Sequence, residues 1–157
     1  MLALIYQLFA ALCGWLEAML YALRGAESFH GNEHGGMMGQ RVAALLLAPV
    51  AMWLYTCWGW WVLLEILPMG LFFPMCHDEA YNFTRLWLKY AETKDFSDWE
   101  TCQLAWKEYR YGYQSPTTTA RNDFSGSTRT IFAITAAVLL VALYVAYFLH
   151  FFPTTHG

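Results

Sequence analysis

The segment 130–152 contains no charged side chain over 23 consecutive positions, and it constrains the fold more than any other feature of this chain. A helix needs about 20 mainly apolar residues to cross the ~30 Å hydrocarbon core of a bilayer. A helix that is apolar on every side belongs in a large protein core or in a membrane, and a chain of 157 residues builds only a small core. We therefore predict a membrane span here, with His150 as the polar interruption near its end.

The composition supports a membrane protein and argues against nucleic-acid binding. Hydrophobic residues make up 58% of the chain and charged residues 13%, compared with about 25% charged in ordinary soluble domains. The net charge is −3 and no strongly basic block occurs, so a surface for nucleic-acid phosphates is absent from the sequence. We expect a single membrane domain over residues 1–157, with the lipid bilayer as its first partner.

Two further apolar stretches precede the last one. The first, 2–24, lacks the basic start of a cleavable signal peptide, so we interpret it as a retained span. The second, 42–74, is broken by prolines and glycines, and we predict one crossing at 43–66 with 67–74 lying along the interface. Two short crossings are the alternative, which the lack of a polar turn disfavours. The predicted fold is an all-α integral membrane protein with three transmembrane helices, at about 2–24, 43–66 and 130–152.

The basic residues suggest an orientation. Seven of the nine Lys and Arg residues lie between the second and third predicted spans. By the positive-inside rule this segment is cytoplasmic, which places the N-terminus in the cytoplasm and the C-terminus outside. We expect a multi-pass protein of a bacterial inner (plasma) membrane.

The segment between these spans has the pattern of an amphipathic helical hairpin at 78–113. Apolar residues recur at helical spacing in 78–94 and again in 97–113, and Ser97 with Glu100 matches a capping box. A linker rich in Ser, Thr, Gly and Asn follows at 115–128. The aromatic faces need a cover, which is the other helix, the headgroup layer or a partner protein. The predicted partner-binding residues are Trp87, Trp99, Trp106 and Tyr109.

Charged residues within the predicted spans are the strongest polar anomalies. A charge in the bilayer costs about 2.5–3.5 kcal/mol on insertion scales and usually faces the protein interior. The candidates are Glu17, Arg24 and Glu65. Interhelical hydrogen bonds or ion pairs that fix the packing are the favoured interpretation, and a proton or ion pathway through Glu17 is the alternative.

The loop after the first span contains the densest cluster of metal-ligating residue types. His30, Glu33 and His34 have the spacing of an inverted zinc-protease motif, but glycines inside and after it disfavour the required helix, so we assign no catalytic residue. A simple zinc or copper site made of His30, Glu33, His34 and His150 is more plausible, because the predicted topology puts them on one face. Haem b held by His30 or His34 together with His150 is less favoured.

The sequence favours an interaction role over catalysis. We expect a small accessory, scaffolding or assembly subunit of a larger membrane complex, in contact with other membrane subunits or with copies of itself. The small residues Ala133, Ala136 and Ala137 are a candidate helix–helix surface. The alternatives are a metal- or haem-binding redox protein that uses the His30–Met38 loop and an oligomeric channel that uses Glu17.

Overall fold

The computed structural model describes residues 2–24, 48–93, 97–113 and 124–151, and all regular structure within these ranges is helical. The predicted all-α class is therefore confirmed for this part of the chain. In chain order the elements are α1 (Leu2–Arg24), α2 (Ala48–Trp58), a 3₁₀ segment (Gly59–Glu65), α3 (Ile66–Ala91), α4 (Asp98–Glu108) and α5 (Gly126–Phe151). Three helical stretches within these ranges are long and apolar enough to cross a membrane, namely Leu2–Ala22, Gly59–Ala91 and Gly126–His150.

The second long helical stretch lies later in the sequence than predicted. The expected crossing was 43–66 with 67–74 along the interface, whereas 67–74 is part of α3 and the long stretch runs from Gly59 to Ala91. Pro68 lies in the first turn of α3, where the fixed φ of proline fits the helix. Pro74 lies inside the helix, and helices in a membrane tolerate such a proline without ending. The prolines therefore did not mark the helix end that the sequence prediction assigned to them.

A break at Gly59 separates α2 from the 3₁₀ segment. Gly59 has φ +63°, a left-handed conformation that glycine adopts without a steric penalty. After this turn Val62 packs with Leu2 and Leu54 in a small apolar core. The start of the second long helical stretch is thereby fixed beside the beginning of α1.

The helices α1 and α3 run parallel to each other. The Ala3 N–H donates to the Glu65 carboxylate at 2.8 Å, and the Gln7 Nε2 donates to the Met69 carbonyl at 3.0 Å. Further along both helices, a Cβ added at Gly14 would overlap the backbone carbonyl oxygen of His77, so glycine permits the close approach. Each residue of α1 thus lies beside the residue about 60 positions later in the sequence, along the whole contact between the two helices. The end of α1 and the start of the 3₁₀ segment consequently lie at opposite ends of the bundle.

The helix α5 runs antiparallel to α3. Arg129 in its first turn lies 2.7 Å from the Glu79 carboxylate, and Tyr147 near its end packs edge-on against Trp61, with ring centroids 5.8 Å apart. Ala133 and Ala136 are buried within the bundle. Most of the small-residue stripe predicted to bind partners therefore packs internally, while Ala137 is exposed.

The helix α4 packs antiparallel against the second half of α3. The Trp87 Nε1–H donates to the Thr101 hydroxyl at 3.0 Å, and the ring of Phe83 contacts Tyr109 at 5.4 Å. The predicted capping box at Ser97 is confirmed, since both of its hydrogen bonds form. The first predicted hairpin segment, 78–94, is not a separate helix, because its residues 78–91 continue α3.

Candidate functional site

Polar side chains from four elements meet at one end of the bundle. We call this group the polar layer, and its members are Glu17, His77, Asp78, Glu79, Tyr109 and Arg129. It lies where the apolar first half of α3 gives way to a sequence rich in polar residues. It has two parts, one centred on His77 and the other on Glu79.

His77 is held between two carboxylates. Its Nε2 lies 2.9 Å from Glu17 Oε2 on α1, and its Nδ1 lies 3.0 Å from Oδ1 of Asp78, the next residue on α3. The His77 residue is 6% exposed, and the ring of Phe73 stacks on its imidazole with centroids 5.0 Å apart. Both ring nitrogens are therefore engaged by acidic oxygens inside the protein.

Glu79 connects three segments of the chain. It accepts hydrogen bonds from the Tyr109 hydroxyl and from the Gly112 backbone N–H, the latter at 3.2 Å, and it forms the ion pair with Arg129. Burial and the Glu79 carboxylate both raise the pKa of Tyr109, so this phenol stays protonated and donates its hydrogen. The end of α4 and the start of α5 are thereby attached to the middle of α3.

Arg129 is deeply buried for a charged residue. It is 1% exposed, and its Nε and Nη2 have no hydrogen-bond partner among the described residues. Removing one member of a buried ion pair leaves an uncompensated charge, which is strongly destabilising. Arg129 and Glu79 therefore depend on each other.

Glu65 occupies a comparable position at the other end of the bundle. It is 3% exposed, it accepts the hydrogen bond from the Ala3 N–H, and it also interacts with the Tyr144 side chain of α5. This candidate from the sequence is thus buried, because α1 and α5 close over it on both sides.

The predicted site residues are thus divided among several places. Glu17 contacts α3, and Arg24 is the last residue of α1, at the polar-layer end. Among the predicted partner-binding residues, Trp87 and Tyr109 make internal hydrogen bonds. Trp99 and Trp106 remain exposed, at 70% and 72%.

The predicted metal ligands are not brought together within the described residues. His30, Glu33 and His34 lie outside these ranges. His150 packs against Trp61, with ring centroids 5.8 Å apart, at the end of the bundle opposite to the end of α1. Across the described ranges, no cluster of three His, Cys, Asp or Glu side chains is arranged to hold a metal ion.

Four polar-layer residues were missed by sequence reasoning: His77, Asp78, Glu79 and Arg129. All four were assigned to the segment between the second and third predicted spans, where ionisable side chains are unremarkable. His77 lies 60 positions from Glu17, and Arg129 lies 50 positions from Glu79, so no local pattern indicated these contacts. The available signal was the run His77-Asp78-Glu79 directly after an apolar stretch.

Comparisons with protein-family models, curated proteins and solved structures find no match to this chain. The polar layer holds helices together through hydrogen bonds and ion pairs. A different feature, an open apolar groove on the outer face of α5, is lined by Ala137, Val138, Val141, Ala142 and Val145.

Proposed function

We propose that this protein is a small membrane-embedded accessory or assembly subunit that binds another membrane protein through α4. The observation that carries the proposal is the exposure of Trp99 and Trp106, at 70% and 72%. They lie seven residues apart, so at 3.6 residues per turn they share one face of α4. Thr101 and Ala105, on the opposite face, are buried against α3. Most of the surface of both indoles is therefore exposed, and Trp106 also packs edge-on against Phe83 of α3, with ring centroids 6.0 Å apart.

Exposed tryptophans suit this role for a physical reason. An indole buries a large apolar area and offers one N–H donor, and tryptophan dominates the energetic centres of protein interfaces. The rest of the face carries Gln103 and Lys107, so it is a mixed surface and not a purely apolar one that lipid tails would cover. A protein partner with an apolar cleft and a polar rim fits both properties.

The groove on α5 gives the proposal a second surface. Its small residues, Ala137 and Ala142, lie between valines, and small side chains let the backbone of another membrane helix come close. Because lipid tails are as apolar as the groove, such packing gains from close fit and not from hydrophobicity. A helix of the same partner is the ligand that we assign to this groove.

The parallel course of α1 and α3 supports four membrane crossings for this subunit, in place of the three expected from the sequence. Two parallel spans require the chain between them to cross back, and residues 42–58 are apolar and free of charge. With this fourth crossing, all nine Lys and Arg residues fall on the polar-layer side. The positive-inside rule makes that side cytoplasmic and puts both termini on the other side. Reporter fusions at the two termini test this topology. Reporters on the same side of the membrane support four crossings, and reporters on opposite sides support three.

The interaction itself is tested by the size of the native complex. The protein is extracted from its own membrane in mild detergent and separated by native electrophoresis, with mass spectrometry of the band. We expect wild type to migrate well above the 18.1 kDa protomer, and we expect Trp99→Ser/Trp106→Ser to lose this species. Trp60→Ser is the matched control, because Trp60 is 56% exposed at the opposite end of the bundle. A wild-type protein that migrates only as the protomer refutes the proposal.

A further inference from the structure

We propose that Glu17, His77 and Asp78 form a proton-binding site whose occupancy controls the packing of α1 against α3. The site lies within the polar layer and is independent of the α4 surface assigned to a partner above. Its ligand is the hydrogen ion, and the evidence is the geometry of three side chains.

Hydrogen-bond counting requires an extra proton. A neutral imidazole has one N–H donor and one nitrogen lone pair. Both His77 nitrogens lie about 3 Å from carboxylate oxygens, at 2.9 Å to Glu17 and 3.0 Å to Asp78. If both carboxylates were ionised and the imidazole neutral, one ring nitrogen would face a carboxylate oxygen with no hydrogen between them, so that two lone pairs would repel each other. The geometry therefore needs one titratable proton, either on the imidazole or on one carboxyl group.

Burial makes this proton important for stability. The side chains of His77, Glu17 and Asp78 are 7%, 17% and 12% exposed. With the proton bound, the three groups have a net charge of −1. Without it, the net charge is −2 in a site largely removed from water, where like charges repel strongly. Loss of the proton therefore acts directly on the contact between α1 and α3.

Other ionisable groups lie on neighbouring turns and elements. Arg129 of α5 forms the ion pair with Glu79 of α3. Two further cations follow on the same helices as the site, Arg24 at the end of α1 and Arg85 about two turns after His77 on α3. The remaining ionisable side chains on nearby turns are Cys13 and Tyr21 on α1, and Cys76 and Tyr81 on α3.

The expected consequence is pH-dependent packing at the polar-layer end. When pH rises above the pKa of the site, one of the two contacts between His77 and a carboxylate loses its hydrogen and becomes repulsive. This happens close to Gly14, where the backbones of α1 and α3 approach each other closely. A single linked proton changes the equilibrium constant by up to tenfold per pH unit. The packing of α1 against α3 is therefore favoured at lower pH and is lost progressively as the proton leaves.

Nitrogen NMR on ¹⁵N-histidine-labelled protein locates the proton. In a variant with His30, His34, His150 and His156 replaced by Gln, His77 is the only imidazole. At pH 7.5 in lipid bilayers we expect either an imidazolium signal or a neutral imidazole with a carboxylic-acid infrared band. That band must disappear in Glu17→Gln or Asp78→Asn. A neutral imidazole without a carboxylic-acid band overturns the proposal. If the four-fold variant does not fold, the difference between wild type and His77→Gln gives the same information.

The coupling to packing is tested by unfolding in mixed micelles between pH 6 and pH 9. We expect the wild-type folding constant to fall by up to tenfold per pH unit in part of this range, and the His77→Gln variant to lose that component. Glu65→Gln is the control, because it removes a buried carboxylate at the other end and leaves the proton site unchanged. Equal pH slopes for wild type and His77→Gln overturn the coupling.

Discussion

The contact between α1 and α3 at Gly14 predicts a large effect of adding one methyl group. A Cβ at this position would overlap the His77 carbonyl oxygen and lie 3.1 Å from both the His77 carbonyl carbon and the Tyr81 backbone nitrogen. All three are backbone atoms, so no side-chain rotation relieves the overlap. To restore ordinary van der Waals distances the two helices must separate by about 1 Å, which is a typical overpacking response.

The magnitude follows from two costs. Overpacking of a tight contact costs about 1–3 kcal/mol. A separation of about 1 Å also lengthens the 2.9 Å contact between Glu17 and His77 beyond the hydrogen-bond limit. A hydrogen bond to a charged group contributes about 1.5–3 kcal/mol, and the greater helix propensity of Ala returns at most about 1 kcal/mol. The net expectation for Gly14→Ala is a loss of about 2–5 kcal/mol in the free energy of unfolding.

Gly70→Ala is the matched control for this experiment. A Cβ at Gly70 meets no atom within 4 Å, so this variant should be as stable as wild type or up to about 1 kcal/mol more stable. Unfolding in mixed micelles, followed by tryptophan fluorescence, measures both variants. If the two variants unfold within about 0.5 kcal/mol of each other, the helices are not in close contact at Gly14 and the parallel packing is wrong.

Two further predictions concern Glu79 and the start of α4. Arg129→Met leaves the Glu79 carboxylate without its ion-pair partner and should destabilise the fold by about 3–5 kcal/mol. The double variant Arg129→Met/Glu79→Met should recover part of that loss in the same unfolding assay. A double variant less stable than the single variant contradicts the pairing. Ser97 hydrogen bonds lower the pKa of Glu100 from 4.5, so their contribution is present above that pH and is lost as pH falls through the lowered value. Carboxyl ¹³C NMR should find the Glu100 pKa higher in Ser97→Ala than in wild type, and an unchanged pKa contradicts the cap.

The sequence predicted the first and last long helices well because each is bounded by a clear change in polarity. The run 130–152 and the helix α5 agree over most of their length. The middle of the chain was harder, because hydropathy stays high from 42 to 74 and contains no polar turn. The actual break is at Gly59, where the chain adopts a positive φ. A glycine in an apolar stretch does not by itself distinguish such a break from a helical position, as Gly70 inside α3 illustrates.

The candidate site was only half accessible from sequence. Glu17 was identified because a carboxylate in an apolar helix is costly and needs an interhelical partner. Its partner could not be assigned from the sequence. The pairing with His77 depends on how two helices align in parallel, and the apolar residues along these helices do not specify that alignment. Tyr109 was expected on an outer surface, but its hydroxyl donates to Glu79. Helical periodicity predicts which residues share a face and not which neighbour covers it.

Two carboxylates, the buried Glu65 and the largely buried Glu79, explain how this sequence selects one packing arrangement. Apolar contacts between membrane helices specify register weakly, because lipid tails are equally good partners for leucine and valine. Glu65 joins α1 and α5 to the start of α3, through the Ala3 N–H and the Tyr144 side chain. Glu79 joins α5 and the end of α4 to the middle of the same helix. Rotating or sliding α1, α3, α4 or α5 by a turn leaves at least one of these carboxylates without its partners inside the protein, at a cost of several kcal/mol. The polar ends therefore determine the register, and the apolar middle supplies the contact area.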